Sequence, residues 1–333
     1  MGIQSRRQVR AALVFVARPL LFAMFITFCA RVLFGGNKDA TALKPSPQDP
    51  AASQPEPARY ASHASHQSNH DHHHKGQSQS DRLDLDRLTT ALVVASTSKS
   101  VEAGETDWLA DVPAPWKNNV FHYVTDAPLS PDLAVPVNKG NEAMVYLTYI
   151  IDHYDTLADV VLFHHGHRRG WHQAMDSIDE VRQLRPQYVA RRGYASLRCL
   201  PGCENIIVLA DYAVERSQFQ RYGRDVHLTT LLDDFLDKDA GERVPVKLAS
   251  PCCAQFAASR KAIQRRSRAW WTSLRQWVVD TPLSNMESGR LMEHTWHMWL
   301  GNESYHCPEY EACQCHVYGI GECDSYFELE ESM

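Results

Sequence analysis

Residues Asn141–Tyr154 (NEAMVYLTYIIDHY) constrain the fold more than any other stretch. They predict a helix that is apolar nearly all round, through Met144, Val145, Tyr146, Leu147, Tyr149, Ile150 and Ile151. Such a helix has to be covered on several sides. Asp159–His164 (DVVLFH) follows as a central buried strand. Upstream, Ala91–Ser96 (ALVVAS) is a short β-branched run and Asn119–Thr125 (NVFHYVT) alternates, so both read as strands. Strand–helix–strand order predicts an α/β sheet with a parallel pair.

Downstream, Gln173–Leu184 reads as a polar helix, Tyr188–Leu200 as mostly loop and Ile206–Ala210 as a strand. His227–Phe235 reads as a helix, and Val244–Ala249 leads into a buried strand or strand end at Pro251–Phe256. Ser259–Arg266 and Ala269–Val279 are helical. Ser284 and Glu287 have capping-box spacing, starting a helix that runs to Leu300 and closes at Gly301.

The N-terminal region sets the expected compartment. Arg6, Arg7 and Arg10 precede an apolar run, Ala11–Phe34, long enough to span a bilayer. The pattern favours an uncleaved signal anchor with the basic flank in the cytoplasm. Asn37–Asp81 is rich in Pro, Ser, Gln, Ala and His and too poor in aliphatic residues to offset ordering entropy. It is expected to be a disordered stem, with His70-Asp71-His72-His73-His74 a low-complexity tract within it. The expected organisation is a cytoplasmic tail (1–10), a transmembrane anchor (11–34), the stem (35–88), a lumenal α/β domain (89–327) and an acidic tail (328–333). That is a single-pass type II protein of the secretory pathway, with the Golgi as the expected membrane.

The cysteines fit that compartment. Of nine, Cys29 lies in the apolar run; Cys199, Cys203, Cys252, Cys253, Cys307, Cys313, Cys315 and Cys323 all follow the stem. Their number is even and their spacing fits zinc pairs poorly, so disulfides are expected. Adjacent Cys252 and Cys253 would point to opposite faces of a strand and take different partners. The Cys307–Cys323 tail should be a disulfide-pinned cap. Asn302-Glu303-Ser304 is a glycosylation sequon, placing a glycan on Asn302 in a lumenal domain.

Chemistry concentrates where the central strand ends, at His164, His165, His167, Arg168, Arg169 and His172. Ligands of open α/β sheets bind beyond the carboxyl ends of strands. His165 and His167 fall on one side of a continued strand and could share a divalent metal, with a carboxylate from Asp176 or Glu293. Arg168, Arg169 and Arg198 suit an anionic ligand such as a diphosphate. The turn Asn138-Lys139-Gly140 before a helix could offer N–H groups to phosphate. Glu293 and His297, one helical turn apart, could be a base and its orienting partner; Glu142 and His165 complete the candidate catalytic groups. A net charge of −6 and the absence of a basic face exclude a general nucleic-acid binder. Arg260–Arg275 reads as a solvated helix face. There is no G-x-S-x-G elbow, Walker A loop or G-x-G-x-x-G.

The segments NKGNEAMVYLTYIIDHYDTLADVVLFHHGHRRGWH, GYASLRCLPGC, PCCAQFAASR, SGRLMEHTWH and CPEYEACQCHVYG together resemble the fungal domain of unknown function 3431 family, over roughly Ala91–Gly321. That family implies no activity. More distantly, the anchor–stem–domain layout and the order of elements resemble Golgi and bacterial glycosyltransferases of the GT-A type. This resemblance implies a single GT-A-like (Rossmann-like) mixed sheet flanked by helices, with the disulfide-rich segment as a cap. It also implies transfer of a sugar from a nucleotide-sugar donor to a hydroxyl acceptor. Arg and Lys would hold the leaving diphosphate, and Glu293 or a His would take the acceptor proton. Such enzymes often place Asp-x-Asp at a strand end, where this chain has His164–Arg169. Asp84-Leu85-Asp86 and Asp237-Lys238-Asp239 have the spacing but lie elsewhere. The alternatives are a His-site metal-dependent enzyme of secondary metabolism and a non-catalytic secretory-pathway binding protein.

Overall fold

The computed structural model describes residues 87–170, 173, 175–202, 205–209 and 223–326. The expected tail and anchor, the expected stem up to residue 86, His172, Cys203 and the acidic tail lie outside these residues. Among the described residues no helix is long and apolar enough to cross a membrane.

A five-stranded mixed sheet forms the centre. Its strands are β1 (Thr90–Ser96), β2 (Val120–Val124), β3 (Val160–His165), β4 (Tyr194–Ser196) and β7 (Phe256–Ser259), in the order β2-β1-β3-β7-β4. β2 and β3 run parallel to β1, while β7 is antiparallel to β3 and β4. A separate antiparallel pair joins β5 (Asn205–Val208) and β6 (Lys247–Ser250).

Both faces of the sheet are covered, so its strands read as near-continuous apolar runs. Side chains alternate across it. Ala91 and Val93 of β1 join a core with Phe163, Phe256, Trp271 and Trp296. Leu92 and Val94 join a second core with Trp108, Trp116, Val181 and Tyr318. The apolar helix is α1 (Glu142–Asp152), and every residue from Ala143 to Ile151 is buried. It packs on β1 and against α5 (Arg268–Asp280) and α6 (Asn285–Trp299), which explains the lack of a polar face. α6 starts with the expected capping box: Ser284 Oγ accepts from Glu287 N–H, and Glu287 returns a bond to Ser284 N–H at 2.8 Å.

Several local expectations change. Tyr188–Leu200 is no loop. Helix α3 (Pro186–Arg192) begins on a proline and stops at Gly193, φ 91°, after which β4 pairs with β7. The polar helix is shorter: α2 (Ser177–Gln183) begins where Asp176 accepts the N–H of Ile178. The helix expected from Ser259 shrinks to α4 (Arg260–Ile263). The strand expected at Pro251–Phe256 is broken by a turn. There Cys252 and Cys253 bond to each other, with φ 85° at Cys253 and 46° at Ala254. Separate partners for these two cysteines required an extended strand, which the positive φ values interrupt.

The tail is a disulfide-pinned cap. Cys315 bonds Cys323, Cys307 is also in a disulfide, and Cys199 bonds Cys313 across 114 residues. Closing a loop that long removes about 4–5 kcal/mol of unfolded-chain entropy on the loop-closure model. The cap is also hydrogen-bonded in place: Tyr318 Oη donates to Leu197 O at 2.6 Å, and Gln314 donates to Cys199 O at 3.0 Å.

Candidate functional site

A cleft of about 230 Å³ opens at the carboxyl ends of β1 and β3. Ser96 and Thr97 line it from β1, Thr125 from the end of β2, and His165 and His167 from the end of β3. Asn138, Asn141 and Glu142 enter from the head of α1, and Asn285 from the first position of α6.

Glycines set these approaches. A Cβ on Gly166, between the two imidazoles, would lie 2.6 Å from Ser96 Cβ. The bare backbone instead donates to Ala95 O at 2.8 Å and accepts from the indole N–H of Trp108 at 2.8 Å. On the other wall, Gly140 has φ 73°, and a Cβ there would meet Val278 at 2.7 Å. The loop is held by Asn141 N–H, which donates to Asn285 Oδ1 at 2.8 Å.

Within the cleft His165 Nε2 lies 3.9 Å from Glu142 Oε2, and the rings of His165 and His167 are 5.2 Å apart. The Glu142 side chain is only 15% exposed. Burial, reinforced by the negative charge of Glu293, pushes its carboxyl up to about 8, although its own backbone N–H and Arg290 act the other way. It is therefore largely protonated at neutral pH and close to exchanging its proton there. The three side chains do not close into a metal-ligand set; among the described residues that spacing is met by Cys252, Cys253 and Glu293.

Beneath the cleft, His164 is sealed from solvent. Its Nδ1 faces His165 O at 2.7 Å and its Nε2 faces Glu180 Oε2 at 3.1 Å. The Gln255 amide nitrogen also approaches His164 Nε2, at 3.2 Å, so the ring is held between a carbonyl, a carboxyl and an amide. Gln173 and Gln255 add amide donors to Glu180 at 3.2 and 3.4 Å.

The other expected site residues are placed elsewhere. Lys139 Nζ donates to Val279 O and Thr281 O, closing the last turn of α5. Arg168 and Arg169 both bind Asp176, at 2.9 and 3.2 Å, and that carboxylate also caps α2. Asp176 is thus engaged by two guanidiniums and a helix cap and does not line the cleft. Arg198 lies at the cysteine turn, with its guanidinium 3.7 Å from Cys253 Sγ. Glu293 accepts the N–H of Cys253 at 2.7 Å. His297 is buried, and its Nε2 meets Ser304 O at 3.1 Å; burial pushes it down to about 3. Glu293 and His297 therefore point to different partners. Asn302 is half-buried, and its amide donates to His297 O at 3.3 Å. The sequence pattern does not single out Ser96, Thr97, Thr125, Asn141, Asn285 or Glu180. The first three could be found as ends of the expected strands; Asn285 and Glu180 are brought in only by tertiary packing.

Fold and cleft define a mixed α/β protein with a ligand-sized site at the ends of its parallel strands. The family model described as "Protein of unknown function (DUF3431)" matches residues 92–316, and the chain belongs to that family. No curated protein and no solved structure matches it.

Proposed function

We propose that the chain is a membrane-anchored, lumenal glycosyltransferase-like enzyme that moves a sugar from a nucleotide-sugar donor to a hydroxyl acceptor. The observation that carries this reading is the cleft, where Glu142, His165 and His167 meet beyond the carboxyl ends of β1 and β3. The donor diphosphate would lie against His165 and His167, which bind it directly or through a divalent cation; the cation would neutralise charge on the leaving group. The amides of Asn138, Asn141 and Asn285 supply donors for oxygen-rich ligands. In its ionised form Glu142, whose carboxyl near 8 exchanges its proton close to neutral pH, takes the acceptor proton as the glycosidic bond forms. The disulfides Cys199–Cys313 and Cys315–Cys323 support an oxidising compartment, in line with a Golgi lumen reached through the Ala11–Phe34 anchor.

The test is calorimetric titration of the purified chain with uridine and guanosine diphosphates, with and without manganese. Binding should weaken at least about tenfold in His165→Ala, His167→Ala and Glu142→Ala. A chain that binds no nucleoside diphosphate under either condition is not such an enzyme.

A further inference from the structure

The turn between β6 and β7 gathers two sulfurs and a carboxylate outside the cleft lining. Cys252 and Cys253 are joined to each other, and the backbone runs through positive φ at Cys253 and Ala254. Non-glycine residues in that region cost on the order of 1–3 kcal/mol each and cluster where surrounding structure holds them for a purpose. Here the holding contact is Glu293, whose Oε1 accepts the N–H of Cys253 at 2.7 Å. Both Sγ atoms and one carboxylate oxygen of Glu293 lie within 4.8 Å of one another. The two sulfurs are close because they are bonded; once that bond opens, two thiols and a carboxylate on one turn form a donor set for a thiophilic divalent cation. In the disulfide the sulfurs carry no thiolate charge, so the donor set is closed.

We propose that Cys252, Cys253 and Glu293 form a redox-gated site for a divalent cation of the zinc class. It is shut by the Cys252–Cys253 bond and opened by a dithiol reductant. In opening, the S–S bond breaks, the dithiol closes its own disulfide, and its two electrons and two protons leave Cys252 and Cys253 as thiols. Cation binding then forms two metal–sulfur bonds and releases the two thiol protons to solvent. Arg198, 3.7 Å from Cys253 Sγ, stabilises the thiolate. Two thiolates, one carboxylate, one guanidinium and a divalent ion leave the pocket neutral, which suits its partial burial. Cys253 is half-buried, so the reductant has a path to the bond.

The test uses the full chain, oxidised and after mild dithiol treatment, titrated with cadmium while thiolate-to-metal absorption is followed and thiols are counted. The oxidised chain should give no absorption at this site. The reduced chain should give it at one ion per chain, with zinc competing. The signal should disappear in a Cys252→Ser, Cys253→Ser double variant, persist in Cys315→Ser, Cys323→Ser, and weaken at least about tenfold in Glu293→Gln. Glu293→Gln keeps every cysteine, so it decides the matter where the serine variants fail to fold. Unchanged cadmium affinity in Glu293→Gln, or a Cys252–Cys253 bond that no dithiol opens in the folded chain, overturns the proposal.

Discussion

His164 and Glu180 meet at 3.1 Å with side chains 0% and 2% exposed, directly under the turn that carries His165 and His167. Removing one partner of such a pair strands the other in a dry interior. Glu180→Ala should therefore lower stability by about 3–5 kcal/mol, read from urea midpoints. Replacing both, as His164→Phe with Glu180→Leu, should cost less than the single change. A single variant within about 1 kcal/mol of the parent would show that the pair is not sealed.

Lys139 separates helix closure from ligand binding. Its Nζ serves the carbonyls of Val279 and Thr281. Lys139→Met should lower stability by about 1.5–3 kcal/mol, the usual range for charge-assisted hydrogen bonds. Nucleoside diphosphate affinity should stay within about twofold, a change worth only some 0.4 kcal/mol. A large affinity loss with unchanged melting would return the lysine to the phosphate site.

Glu142 gives stability a defined pH dependence. Its folded value of about 8 lies above the ordinary 4.5, so the native chain keeps a proton that the unfolded chain has released between those values. Stability should fall as pH rises through that window, by up to about 1.4 kcal/mol per unit, and level off above it. Urea midpoints taken across roughly pH 5 to 9 should show this slope in the parent and a flatter one in Glu142→Gln. Equal slopes in both would place the carboxyl in water.

Gly140 tests how tightly the cleft wall is seated. Gly140→Ala adds a Cβ at φ 73° that would meet Val278 at 2.7 Å. Stability should drop by about 2 kcal/mol or more from crowding and backbone strain together. Thermal melts should show it, and a drop below about 0.5 kcal/mol would mean that α5 yields easily.

Much of the centre was legible from residue pattern. The apolar helix and the runs at Ala91 and Asp159 fixed the parallel half of the sheet, because burial on both faces writes itself as unbroken hydrophobicity. The capping box at Ser284 was equally local. Harder to read were β4, only three residues long and defined by its pairing with β7, and the cysteine turn, where positive φ at Cys253 overrode the strand pattern. In the site, His165, His167, Asn138 and Glu142 could be found because they flank readable elements. Arg168, Arg169 and Lys139 stand out by charge, and nothing in their spacing reveals that Asp176 and the end of α5 hold them. Charge type is visible along a chain, but its partner is a property of packing.

The bond between Cys199 and Cys313 has a practical corollary. Everything between those positions, including the β5–β6 pair, α5 and α6, hangs on the protein as a closed ring. A single proteolytic cut inside the ring cannot shed a fragment: the pieces should migrate as one species until thiol is added and then separate. Migration as a single band under non-reducing conditions therefore says nothing about whether this part of the backbone is whole.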